Sequence, residues 1–115
     1  MRTLYLMVSL LLAGTGLLHM AATFRYHRQF SAGALWFFGA GLLLVLIGAL
    51  NLFCRRHAAA LPALRSFTFW CNALMCAYTF CSGLATKASV PQMLVLVGAA
   101  LLASVLSRLP SASAR

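Results

Sequence analysis

The chain contains no aspartate and no glutamate. That absence removes paired-acid hydrolysis, carboxylate-bound Mg²⁺ or Ca²⁺, and proton coupling through a membrane-embedded acid, because each needs a carboxylate. Charge of any sign is scarce, at 8% of 115 residues, whereas 63% are hydrophobic, far from the mixture of a soluble domain. A Gly-rich phosphate loop, a Ser-His-Asp arrangement and an H-E-x-x-H motif are also missing from the sequence. With no catalytic constellation, a non-enzymatic protein is expected.

What the chain does have is long apolar runs. About 20 apolar residues at 1.5 Å rise each cross the roughly 30 Å of hydrocarbon in a bilayer. Four stretches qualify, at approximately 4–24, 34–53, 66–86 and 91–109, and they leave no room for a soluble domain. The runs are continuous, without the alternation of a barrel strand, so the expected fold is an all-α membrane protein, a four-transmembrane-helix up-down bundle in one domain, 1–115. The first run also has the basic start and apolar body of a signal peptide. Its length, the lack of a clear cleavage site and the three runs that follow favour a retained helix.

The connectors fit this plan. Arg25 to Ser31 mixes charge with aromatic rings, Cys54-Arg55-Arg56-His57 closes the second span, and Pro62 sits in a compact link. Pro91 is tolerable in the first turn of the fourth span, and Pro110 opens what reads as a frayed polar tail. The formal charge of +9 is spread over span boundaries, as expected of topology and headgroup anchors and not of a nucleic-acid face. Four spans put Arg2, Arg55, Arg56, Arg65, Arg108 and Arg115 on one side and Arg25, Arg28 and Lys87 on the other. That bias predicts cytoplasmic termini. The expected surroundings are the lipid bilayer and its anionic headgroups.

Helix association in lipid depends on close approach at small residues and on interhelical hydrogen bonds. Ala34, Gly41 and Gly48 recur every seven positions in the second span, and Ser9, Ala13 and Gly16 form a similar face on the first. Thr68, Asn72, Cys76, Thr79, Gly83 and Thr86 lie on one face of the third; Ala100, Ser104 and Ser107 mark the fourth. Asn51 and Asn72 fall at matching depth, where an amide pair would satisfy groups that hydrocarbon cannot. These faces read first as packing seams, with a solvated pathway along the third span as the alternative.

His19 is the one histidine expected below the headgroups, and an ionisable residue there is a functional candidate. Thr15 lies one turn before it, and depth matching sets Trp36, Tyr78, Thr79 and Ser82 in the same half of the bilayer, so a polar pocket is expected there. Haem ligation by His19 would lack a second histidine at its depth. Cys71, Cys76 and Cys81 are five apart and point in three directions, so inert thiols are expected and no metal site or other cofactor.

Ala34-Leu-Trp-Phe-Phe-Gly-Ala-Gly, with Gly48-Ala-Leu-Asn51 and an upstream Gly-Leu-Leu-His ending at His19, resembles small uncharacterised bacterial four-helix membrane proteins. The resemblance implies a bacterial inner-membrane protein and carries no activity. Small multidrug transporters match in size and span number, but they depend on an acid in the first span, which this chain lacks. The first expectation is therefore an accessory or interaction bundle, as a homodimer or beside a membrane-protein partner. A small transporter or channel subunit using the His19 pocket is the second, and a haem or redox membrane subunit the third.

Overall fold

The computed structural model describes residues 1–112; Arg115 and the last residues of the polar tail lie outside them. Four α-helices follow one another, α1 (Arg2–Tyr26), α2 (Ala32–His57), α3 (Ala63–Thr86) and α4 (Val90–Arg108), and Pro110–Ala112 forms a 3₁₀ turn. There is no strand among the described residues. The bundle is elongated, 46 × 23 × 21 Å.

Local chemistry sets the helix ends. Ser31 caps α2 by accepting the Ala34 N–H at 3.2 Å. Pro91 sits in the first turn of α4, where its missing donor is harmless. Basic side chains occupy the last turns of α1, α2 and α4, opposite the partial negative charge of the helix C-terminus. Against expectation α2 does not stop before Cys54-Arg55-Arg56-His57 but runs through it to His57; none of these residues breaks a helix, and the cations favour its last turn. The tail also departs from expectation, because Ala112 is fully buried and its N–H bonds Leu109 O at 3.0 Å. Its small side chain lets the 3₁₀ turn pack onto α1.

The helices form two antiparallel hairpins, α1–α2 and α3–α4, and α1 against α4 and α2 against α3 complete the ring. The first hairpin is a backbone-to-backbone seam. A Cβ on Gly16 would lie 2.5 Å from Gly41 O, one on Gly41 2.8 Å from Gly16 O, and one on Gly48 2.7 Å from Ala13 N. Side chains cannot occupy those positions, so the small-residue stripes of α1 and α2 lie against each other. In the second hairpin a Gly83 Cβ would meet the flexible Met93 side chain at 2.9 Å, and the Arg108 guanidinium sits 4.3 Å from the centre of the Phe69 ring.

Three of the helices, α1, α2 and α4, are long and apolar enough to cross a membrane. α3, at 24 residues, is long enough, but Asn72 and its Thr and Ser residues dilute its apolar character. The short fourth helix, Val90–Arg108, thus carries the stronger hydropathy and the third the weaker, the reverse of what run length alone indicates.

Gly16→Ala and Gly48→Ala are expected to destabilise the bundle by about 1–3 kcal/mol through overpacking. Gly14→Ala and Gly39→Ala, where a Cβ meets nothing, are expected to be neutral or stabilising by up to about 1 kcal/mol; denaturant unfolding in micelles checks both. Lys87 ends α3 in the left-handed region, at φ 53, with Ala88 N–H bonded to Gly83 O at 2.9 Å. Glycine is favoured there, so Lys87→Gly should raise stability by about 1 kcal/mol in the same assay.

Candidate functional site

The two ends of the bundle differ. At the end formed by the start of α1, the end of α2 and the start of α3, a buried polar cluster closes the interior. Asn51 Nδ2 donates to Asn72 Oδ1 at 2.8 Å, and Asn72 Nδ2 donates to Asn51 Oδ1 at 2.9 Å. The Tyr5 hydroxyl adds a third bond, donating to Asn51 Oδ1 at 2.9 Å, and Asn51 Nδ2 also reaches Ile47 O at 2.8 Å. All three residues are fully buried, where such amides must find partners. Among the described residues the amide pair is the only side-chain hydrogen bond between the two hairpins. Thr68, one turn before Asn72, is buried with its hydroxyl unpaired.

At the opposite end the hairpins leave a cavity of about 600 Å³, within the roughly 300–1,000 Å³ of small-molecule sites. Its inner end is apolar, with Leu44 of α2 and Met75 of α3, and Leu96 of α4 lines the wall nearer the mouth. Midway, His19 of α1 faces the same space as Tyr78 and Thr79 of α3. Toward the mouth come Trp36, Ser82, Gln92 and His27. Phe37 orders the α1–α2 wall: His19 stacks on it at 3.9 Å between centroids, and His27 packs on it at 5.7 Å. No arginine or lysine lines the cavity among the described residues.

Of the pocket residues chosen from sequence, His19, Trp36, Tyr78 and Thr79 line this one cavity, as does Ser82, whereas Thr15 does not. Thr79 spends its proton on Met75 O at 2.8 Å, leaving its oxygen able to accept. Among the packing residues, Gly41, Gly48, Asn51, Asn72 and Gly83 sit in the contacts described above. Ala34 is buried near the α1–α2 turn, and Cys76 is half-buried. The four cysteines are free thiols, with only Cys54 fully buried. Sequence reasoning missed Tyr5, Phe37, Gln92 and Met93. A tyrosine near a span's end reads as an interface ring, and only its depth match with Asn51 could have marked Tyr5 as a buried donor.

No protein family, curated protein or solved structure matches the chain.

Asn51→Leu leaves the Tyr5 hydroxyl and the Asn72 amide without partners, and Asn72→Leu leaves Asn51 half-satisfied. Each single change should cost about 1–3 kcal/mol. The double change should cost less than the sum, with a coupling of about 1 kcal/mol, at the scale of interhelical hydrogen bonds in lipid. A double-mutant cycle on unfolding in micelles measures this directly.

Proposed function

We propose that the chain is an integral protein of a bacterial inner membrane that crosses it four times with both termini cytoplasmic. In this reading it is a non-enzymatic accessory bundle that holds a small molecule in its cavity. One observation carries the membrane reading: the outer faces of the helices are apolar, while small and polar residues are drawn into the contacts between them. Ser9, Asn51, Thr68, Asn72, Ser104 and Ser107 are buried, while leucines and valines along all four helices face outward. Soluble monomers rarely expose apolar surface on that scale, and lipid accepts it. α3 shares the pattern, with Leu74 and Leu84 more than half exposed, which supports counting it as a span.

The dimensions support the same reading. The 46 Å long axis is close to the roughly 40–45 Å of a bilayer with its headgroup zones. Exposed aromatic rings gather at both ends, Phe24, Tyr26, Phe30 and Trp36 at one and Phe67 and Trp70 at the other, as in interfacial belts. Arg2, Arg55, Arg56, Arg65 and Arg108 stand at the end that carries the asparagine pair, in a chain without carboxylates to neutralise them. They favour contact with anionic headgroups on the cytoplasmic side.

A transporter is the second reading, favoured by the cavity. The asparagine cluster argues against an open pore, because it blocks the path from the cavity to the other end. Passage would require the hairpins to part at Asn51 and Asn72.

A fluorescent protein fused after Arg115 is expected to fluoresce in the cytoplasm, and alkaline phosphatase inserted after Arg28 to be active outside it. The opposite pair of results would reverse the orientation, and carbonate extraction of the protein from membranes would sink the membrane reading.

A further inference from the structure

We propose that the cavity is a binding site for an uncharged amphipath with a planar, two-carbonyl head, the chemistry of a membrane quinone. The proposal rests on the membrane reading, which brings lipid-soluble molecules to the site. Three features of the walls select this class.

Charge comes first. The chain has no carboxylate and the cavity has no arginine or lysine on its wall. A cationic head would find no counter-charge, and neither an anionic head nor a phosphate would find a fixed cation. An unpaired charge in a site of low dielectric is costly, so the occupant is neutral.

Polarity is graded along the cavity. Leu44 of α2 and Met75 of α3 form an apolar inner end, and hydrogen-bonding groups begin at the level of His19 and Tyr78, one turn nearer the mouth. An occupant with an apolar part inward and a polar head midway matches that gradient. A volume of about 600 Å³ accepts a ring with a short length of tail.

The shape of the head follows from where the polar groups stand. His19 enters from α1 and Tyr78 from α3, so groups able to donate come from different walls, with Gln92 of α4 as a third. Among the described residues none of these three side chains spends a hydrogen bond inside the protein, and Tyr78 and Gln92 retain their donors for a ligand. A head with acceptors on opposite edges meets this arrangement. Phe37, already stacked on His19 at 3.9 Å, and Trp36 supply flat apolar faces for a ring. Binding alone is proposed, with no electron transfer.

The two tryptophans give a direct test, because Trp36 lines the cavity and Trp70 lies at the other end of the bundle. The probe is a ubiquinone with a single isoprene unit, titrated into full-length protein in lipid nanodiscs. With Trp70→Phe, quenching of Trp36 should saturate. With Trp36→Phe, quenching of Trp70 should be linear, as for random collisions in lipid. Ala40→Phe, which fills the cavity, should abolish saturation, and Tyr78→Phe should raise the half-saturation concentration about fivefold, the scale of one lost hydrogen bond. Circular dichroism identifies any variant that fails to fold, and Tyr78→Phe carries the test if Ala40→Phe does. Linear quenching of both tryptophans would overturn the proposal, as would saturation indifferent to Tyr78→Phe and to a folded Ala40→Phe. Displacement of the probe by monoacylglycerol at lower concentration than by a second quinone would assign the site to neutral glycerolipids and overturn the quinone. Failure of the quenching in protein that resists carbonate extraction would reject this site and leave the membrane reading standing.

Discussion

The reciprocal amide pair between Asn51 and Asn72 fixes how the two halves of the molecule meet. Each hairpin is complete by itself, α1–α2 through glycine contacts and α3–α4 through Gly83 against Met93 and Arg108 over Phe69. Between them, shared core packing of Tyr5, Leu12, Ala103 and Leu106 supplies area, and the amides supply register. A hydrogen bond of this kind contributes about 1 kcal/mol net, so the pair does not provide most of the cohesion. Its importance is positional: a one-residue slip of α2 against α3 would break both bonds of the pair and leave two buried amides with unmet groups, while Tyr5 holds Asn51 in place from within the first hairpin. The cavity is the complement of that restraint, the space that remains where the hairpins are not tied.

Much of this plan was legible in the residues, for a specific physical reason. In an apolar chain the small and polar residues are few, so their spacing stands out, and Gly41, Gly48, Gly16 and the α3 face could be seen without knowing which helix each would meet. The pairing of Asn51 with Asn72 followed from position along the chain, since two antiparallel helices joined by a short link bring their adjoining ends level. Hidden instead was anything that depends on the angle between helices. Thr15 shares a side of α1 with His19 yet misses the cavity, and Gln92 and Met93 enter it from a helix whose sequence offered only serines and alanines as signals. Arg108 reads as a headgroup anchor from its position, and its guanidinium lies over Phe69. Hydropathy misled in the other direction: Thr68 and Asn72, the buried polar residues of α3, are among those that weaken it as an apolar helix.

The candidate site and the closed end make a consistent pair. A cavity open toward one side, with Asn51, Asn72 and Tyr5 bonded together across the other end, suits retention of a molecule better than continuous flow. The walls divide the labour: α1 and α2 present a rigid surface because glycine seams leave no slack, whereas α4 contributes a methionine and a glutamine whose long side chains can adjust to what enters.

The neutrality of the tie has a consequence for the conditions under which the bundle keeps its shape. Amides neither gain nor lose protons over the physiological range, and with no aspartate or glutamate the described residues hold no side-chain ion pair for dissolved salt to screen. Proteins held by titratable or ionic contacts loosen or tighten as pH and ionic strength change. Here the joint between the hairpins is indifferent to both, so the register of α2 against α3 holds across conditions that would loosen an ionic tie.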